Sequence, residues 1–427
     1  MVSQKAKHYL DSLVNYEQKG LPCKSCTFKL SRIEKLLKIL DHPERKFPTI
    51  HIAGTKGKGS TAAFASYILR EAGFKVGLYT SPHLFDRKER IRILCPGMRR
   101  NKMSGDFEGS ISGKSLNRII SEILKKTEKE NLIVKKRLSF FEFFTGIAFY
   151  YFAKEKVDVA VVEVGLGGRL DATNVLSSDV CGITPIGLEH TAQLGNSILK
   201  ITKEKAAIIK RKTKVVVVAP QGRRAVDVIR KRAKSLGVPI LISKKRVGIS
   251  VPLLGDHQIV NASLAASMVQ CFLPKEFKDL GKYIARGIKK TRWPARFEIV
   301  KKNPFVVIDS AHTKESAQSL VRTVKDVFPN RDVVLILGVS KDKDIEGVCS
   351  KLKSIAKEII LTQSSHPRAF SFSEEFSKKL FGDKNITLEP NAKKALAKAF
   401  RKAGEKDIVL ATGSIFLAAQ IRKYASS

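Results

Sequence analysis

The ten residues from His51 to Ser60, HIAGTKGKGS, bring glycines, lysines and a hydroxyl together at a spacing suited to holding phosphate. Glycines at Gly54, Gly57 and Gly59 let backbone amides approach phosphate oxygens. Thr55, Lys56, Lys58 and Thr61 line the same turn, with Lys58 able to neutralise the outer phosphates and the Ser60 hydroxyl able to ligate Mg2+ at a helix N-terminus. The spacing GxxGKGS is shorter than the general GxxxxGK[ST] loop, and that departure is itself informative.

Two further groups could share a metal with such a turn. Glu163 closes an apolar run and is followed by Gly165, Gly167 and Gly168. A carboxylate at a strand end reaches a metal held on nucleotide phosphates. Asp171 and Asn174, slightly further on, fit a capping role that stiffens the loop as well as they fit a functional one. His190 lies in a loop just past the next strand, in step with Glu163, so the two side chains could converge on the carboxyl edge of one sheet. Because Mg2+ prefers oxygen, an imidazole there suggests a second metal position or tolerance of Mn2+. Lys205 stands inside a helical pattern over residues 201–210 and, on spacing alone, reads as a solvated face.

Positioning these residues requires strands that end at the turns. Residues 48–53 read as a short buried strand and 60–71 as a helix, which sets the glycines at a strand-to-helix turn. Helical periodicity also marks 5–16, 32–40, 116–130, 140–153 and 198–210, and β-branched runs mark strands at 157–164, 180–184 and 215–219. A second alternation follows Trp293-Pro294, with strands at 305–308, 333–338, 358–362 and 407–411 and helices at 315–327 and 392–403. Alternating strands and helices predict an α/β protein with mostly parallel sheets covered on both faces. At 427 residues, two domains are expected, with residues 1–292 in one and 293–427 in the other. Residues 95–115, rich in Gly, Ser, Arg and Lys, read as an exposed, mobile insertion.

Composition narrows the function. The apolar runs are too short to span a bilayer, and the first residues, MVSQKAKHYLDSL, lack an apolar signal core, so the expectation is a cytoplasmic protein. Lys and Arg number 79 against 40 Asp and Glu, a net charge of +39 that attracts anionic partners. The basic residues are spread along the chain, and one Trp and 8 Tyr leave little for base stacking. Small anionic substrates are therefore the leading expectation, with a nucleic-acid-binding NTPase as the rival from another class. Of six cysteines only Cys23 and Cys26 form a CxxC pair, and no second pair completes a zinc site.

The motifs taken together resemble folylpolyglutamate synthase and dihydrofolate synthase, members of the Mur ligase superfamily. They run in order as GTKGKGST from Gly54, TSPHL from Thr80, ERIRI from Glu89, VEVGLGGRLDATN from Val162, GLEHT from Gly187 and EKAAIIK from Glu204. GDHQIVNA from Gly255, WPARFE from Trp293, DSAHTKES from Asp309 and ATGSIFL from Ala411 complete the series. The resemblance implies a P-loop ATPase-like first domain that binds ATP and folate and a smaller Rossmann-like second domain. It implies ATP-dependent addition of L-glutamate to a folate through an acyl phosphate, with dihydropteroate as a further acceptor and a monomer as the working state. Ser60 and Glu163 would hold the Mg2+ between the ATP phosphates, with Lys58 beside the transferred group. Glu163 and His190 would hold a second Mg2+, and Lys205 would be carbamylated into an anionic ligand. Asn261 would contact the adenine, Arg296 the phosphates, and Asp309 and His312 would be the second domain's nucleotide residues. Ser81, Pro82 and His83 would help form the folate pocket. Lys56, Glu189, Ala207, Ala295 and Ser310 depart from the bacterial pattern. Lys56 and the run Ala311-His312-Thr313 also occur in forms that only extend the glutamate tail, so the resemblance leaves tail extension alone or both activities open, with a Mur-type ligase for another carboxylate as the nearer rival.

Overall fold

The structure, a computed structural model, describes residues 4–20, 28–98, 107–129, 138–246 and 248–425. The chain divides into two compact units. One holds the chain up to Arg292, apart from Gln18–Gly20 and Leu253–His257, and those two short segments join Trp293 onward in the other.

The first unit is built on a seven-stranded sheet. Its strands are β1 Thr49–Ala53, β2 Val76–Tyr79, β3 Ile91–Leu94, β4 Val159–Glu163, β5 Val180–Ile183, β6 Val215–Val218 and β7 Ile240–Ile242, in the order β3-β2-β4-β1-β5-β6-β7. Only β3 runs antiparallel to its neighbour among these described strands. The central strands are buried along their whole length and mostly apolar, as expected where helices cover both faces. On one face packs the helix Phe140–Lys154, opened by a capping box in which the Ser139 hydroxyl accepts from the Glu142 amide and the Glu142 carboxylate accepts from the Ser139 amide. It is apolar nearly all round, and Phe143, Phe144, Phe149 and Phe152 lie buried in the core it shares with helix Leu30–Ile39.

The register positions the chemistry. β1 lies between β4 and β5, with Ile52 opposite Glu163 and Ala53 opposite Ile183. Three parallel strands thus end side by side, and the glycine turn, Glu163 and the segment leading to His190 all leave from one carboxyl edge.

The second unit holds a six-stranded sheet: β8 Glu298–Lys302, β9 Phe305–Ile308, β10 Val333–Leu337, β11 Ala356–Gln363, β12 Asn385–Asn391 and β13 Ile408–Thr412. The order is β12-β11-β10-β13-β9-β8, with only β8 antiparallel among the described strands. β13 inserts between β10 and β9, so the loop after β9, which begins at Asp309, leaves beside the end of β13.

One expectation needs correction. The reading of residues 95–115 as exposed holds at Pro96, Gly97 and Met98 and fails further on, and residues 99–106 lie outside the described residues. Ile111 is buried, Ser110 bridges to Arg92, and the Glu108 carboxylate accepts two hydrogen bonds from Arg70 Nη1 at 3.0 Å. The helix Gly113–Lys129 begins before the segment ends. β3, which the sequence reading did not mark, holds the fully buried Arg92, whose Nε donates to the Glu108 carbonyl at 2.7 Å. Cys23 and Cys26 lie outside the described residues, and Cys95, Cys181, Cys271 and Cys349 are free thiols.

Candidate active site

The glycine turn joins β1 to the helix Lys58–Glu71, whose N-cap, Gly57, carries no side-chain cap. The first amides of that helix are therefore not occupied by a capping side chain, an arrangement that favours an anion. Gly57 has φ 85°, and a Cβ built there would stand 2.2 Å from Asn261 Oδ1. Gly54, with φ 147°, is closed in the same way by Thr184 Oγ1 at 1.8 Å. The turn is propped from β5's side: the Thr55 and Lys56 amides donate to the Pro185 carbonyl at 3.1 and 3.2 Å, and Thr55 Oγ1 donates to the Gly187 carbonyl at 3.2 Å.

Ser60 and Thr61 are both buried, and Thr61 Oγ1 has no hydrogen-bond partner. Lys58 Nζ lies 3.5 Å from the Thr55 carbonyl and so leans over the turn it follows. Asn261, on the helix Asp256–Phe272, packs against Gly57 and donates to Gln258 Oε1 at 3.0 Å, which places it at the glycine turn. We expect Gly57→Ala to weaken ATP binding by at least about tenfold while the unfolding temperature moves only a few degrees, since a strained left-handed alanine costs roughly 1–3 kcal/mol and Asn261 must shift. Calorimetric titration with ATP, beside a thermal melt, reads both.

Two departures from the family pattern meet here. Lys56 Nζ lies 3.3 Å from Glu189 Oε2, so the added charge in the turn is paired with a carboxylate after β5.

Glu163 is buried at the end of β4, and its Oε2 accepts from the Ser81 amide at 3.1 Å. The loop after β2, carrying Ser81, Pro82 and His83, is thereby tied to the carboxylate. His83 Nδ1 accepts from Arg90 Nε at 2.9 Å, and burial, followed by the nearby Arg90 charge, pushes the imidazole down to about 4. It is neutral at physiological pH. Arg90 is itself fully buried, paired with Glu17 and set over the Phe140 ring at 5.3 Å.

Lys205 overturns the solvated-face reading. It is 5% exposed, and its Nζ donates to the Gly54 carbonyl at 2.7 Å. Burial lowers its pKa to about 7, helped by the positive charges of Lys58 and Lys56 and opposed by Glu189 and Asp171. A large fraction of this amine is neutral near pH 7, which is unusual for lysine. His190 caps the short helix Thr191–Leu194 in the left-handed region, at φ 52°.

Asp171, left open between capping and function, is a cap in its bonding. Its Oδ1 accepts from the Thr173 amide at 3.0 Å and its Oδ2 from the Leu166 amide at 2.8 Å. Burial pushes its pKa up while those bonds and Lys58 pull it down. Asn174 Nδ2 donates to the Arg169 carbonyl at 3.0 Å.

Among the described residues no group of three or more His, Cys, Asp and Glu side chains is assembled for a metal. The donors present fit Mg2+ nonetheless. A buried hydroxyl at Ser60 and one buried carboxylate at Glu163 are hard oxygen ligands, and Mg2+ commonly takes one or two carboxylates with the remaining positions filled by substrate phosphates and water.

In the second unit, Asp309 Oδ2 accepts from the Phe297 amide at 2.8 Å and Oδ1 from the Ala311 amide at 2.7 Å. The carboxylate thus pins the turn that carries Arg296. His312 Nδ1 donates to the Ser310 carbonyl at 2.8 Å, which orients the ring. Burial pushes down the pKa of His257, which sequence reasoning passed over inside GDHQIVNA, against the opposing charge of Asp309.

An uncapped glycine turn on a parallel sheet, a buried strand-end carboxylate and a second α/β unit define an ATP-dependent ligase of the Mur type. The Mur ligase, glutamate ligase domain profile matches residues 295–415. The dihydrofolate synthase/folylpolyglutamate synthase of Bacillus subtilis is 31% identical over 420 residues, 92% of this chain and 94% of that protein. The chain belongs to the folylpolyglutamate synthase/dihydrofolate synthase family. Among solved structures, Mycobacterium tuberculosis folylpolyglutamate synthase complexed with ADP superposes with a TM-score of 0.84 at 28% identity, covering 99% of this chain and 98% of that one. The bifunctional Yersinia pestis enzyme complexed with AMPPNP and a Mn ion gives 0.80 at 27% identity, covering 98% and 96%.

Proposed function

We propose that this chain is an ATP-dependent amide ligase that adds L-glutamate to folates and also couples it to dihydropteroate. The reading rests most on one observation: the buried, partly neutral Lys205 amine held 2.7 Å from the carbonyl of the first glycine in the phosphate turn. The terminal phosphate of ATP passes to a carboxylate of the pterin-linked acceptor, forming an acyl phosphate. The amine of L-glutamate then attacks the acyl carbon, phosphate leaves and an amide forms. Positioning and charge neutralisation do most of the work in such a transfer.

Ser60 and Glu163 are assigned to the Mg2+ on the ATP phosphates, and Glu163, His190 and Lys205 to a second ion. Bound Mg2+ would supply charge neutralisation at the phosphates. The neutral Lys205 amine adds CO2, releases a proton and becomes a carbamate, so a buried amine gives way to an anionic oxygen donor. The amides of the glycine turn and Lys58 hold the phosphates, and Asn261 orders Gly57 beside them. Arg296, Asp309 and His312 are assigned to the nucleotide from the second unit, and Ser81, Pro82 and His83 to the folate. We assign residues 1–292 to ATP and folate and 293–427 to glutamate ligation, in a protein working as a monomer in the cytoplasm; no helix of the described residues is long and apolar enough to cross a membrane.

A substrate panel tests this reading. Labelled L-glutamate is incorporated with tetrahydrofolate and with dihydropteroate, and exchange for other amino acids stops it. Incorporation with tetrahydrofolate alone would reduce the activity to tail extension, and ATP hydrolysis driven by DNA or RNA and falling steeply with salt would point to the nucleic-acid rival instead.

A further inference from the structure

One fully buried titratable side chain has no part in the chemistry above. His51 lies on the central strand β1, three residues before Gly54, with Val162 and Cys181 as its neighbours across the sheet. Its Nε2 is 2.8 Å from Thr173 Oγ1, and Thr173 Oγ1 donates to Asp171 Oδ1 at 2.5 Å. A hydroxyl has a single proton, and this one is committed to the carboxylate. The imidazole must therefore donate to the hydroxyl, which places its proton on Nε2. Nδ1 is then a bare acceptor, and it is buried without a partner. A leucine would fill the space without that vacant acceptor, so packing alone does not account for histidine here.

We propose that His51 is a positioning residue of the ligase site: its Nε2–H orients the Thr173 hydroxyl on Asp171, and Asp171 in turn holds the loop that buttresses Lys205. The remaining links are explicit. Asp171 Oδ2 accepts from the Leu166 amide at 2.8 Å, and the Asp171 amide donates to the Gly168 carbonyl at 3.2 Å, which closes the loop over residues 166–171. From that loop the Arg169 amide donates to the Glu204 carbonyl at 2.9 Å, and Arg169 Nε pairs with Glu204 Oε1 at 2.9 Å. Glu204 immediately precedes Lys205. The donor run from His51 through the Thr173 hydroxyl ends on the Asp171 carboxylate and strengthens in a low-dielectric interior, and the bonds of the 166–171 loop depend on where that carboxylate sits, so losing the first link loosens the last. The imidazole stays neutral throughout, because burial and then the Lys210 charge push it down to about 3. The link therefore does not switch with pH.

The inference rests on the role given to Lys205 above, and the test separates the two. Steady-state rates of glutamate incorporation and thermal midpoints are compared for wild type, His51→Leu, His51→Gln, Thr173→Val and the His51→Leu/Thr173→Val pair. We expect His51→Leu to lower kcat about tenfold or more, with KM for ATP within about twofold, because small displacements of site groups cost rate rather than binding. His51→Gln, whose amide N–H reaches the place of Nε2, recovers kcat to within about threefold of wild type. The double variant is no slower than the slower single variant, as expected for two members of one chain. Unchanged kcat in His51→Leu, no advantage of Gln over Leu, or losses that multiply in the double variant would each overturn the proposal. Should His51→Leu not fold, Thr173→Ser against Thr173→Val gives the same comparison, with serine expected to retain activity and equal loss in both contradicting it. A wild-type protein inactive with folate and glutamate would instead remove the reading of function on which the proposal stands.

Discussion

Replacing Lys205 with alanine is expected to reduce amide formation by about a thousandfold or more, and added acetate or formate to restore a measurable part of it. The scale is that of removing a preorganised charged group from a water-excluded site. Its basis is local. The Lys205 Nζ is buried and surrounded by Lys58 and Lys56, so a positive charge there is disfavoured and the amine titrates at about 7. A neutral amine in that position is a nucleophile toward CO2, and the resulting carbamate relieves the clustering of positive charge. A small carboxylate occupying the space that the shortened side chain leaves presents the same kind of oxygen. The sign of the pH dependence follows. Below about pH 7 the amine is protonated, it no longer adds CO2, and in CO2-limited buffer activity falls by up to about tenfold per pH unit. Above about pH 8 the amine is largely neutral and activity levels off, and added bicarbonate shifts the falling limb to lower pH. Full activity of the alanine variant, or a rate indifferent to bicarbonate across this range, would contradict the role.

Glu163→Gln is expected to lower the rate by about a hundredfold to a thousandfold without unfolding the protein. The glutamine side chain keeps the size of glutamate and an oxygen able to accept from the Ser81 amide, which here lies 3.1 Å from Oε2. What it loses is the negative charge at the end of β4, next to the phosphate turn in register. His190→Ala is expected to act in the same direction with a folded, nucleotide-binding product. Circular dichroism and ATP titration establish that the variants are intact, and glutamate incorporation measures the loss. Wild-type turnover in both would take these residues out of the chemistry.

Much of this site is legible in the sequence because the signal is local. The glycine turn announces itself by residue type, and β1, β4 and β5 are compact apolar runs whose ends coincide with Gly54, Glu163 and the segment toward His190. What escapes depends on contacts distant in the chain. Lys205 sits among Lys200, Lys203 and Glu204, a pattern that reads as solvated, yet it shares the buried side of its helix with Ile201, Thr202 and Ala206. His51 is a polar interruption in an apolar strand, and only the fold brings Thr173 to it, 122 residues away. Lys56 and Glu189 are two separate departures from the family pattern in the sequence, and the fold pairs them at 3.3 Å. β3 is hidden because it is only four residues long, Ile91–Leu94, too short for its apolar and polar alternation to stand out. The resemblance in motif order supplies what propensity does not, namely the identity of the second unit and the family, and the match over residues 295–415 agrees with it.

The central claim is that phosphate held by the glycine turn activates a folate carboxylate for coupling to L-glutamate. Purified protein with ATP, Mg2+ and labelled L-glutamate, given tetrahydrofolate in one arm and dihydropteroate in another, tests it most directly by counting phosphate released against label incorporated. The account predicts one phosphate per amide, with little hydrolysis when either folate or glutamate is omitted. Hydrolysis that proceeds equally without folate and glutamate, or no label in either product, would contradict it.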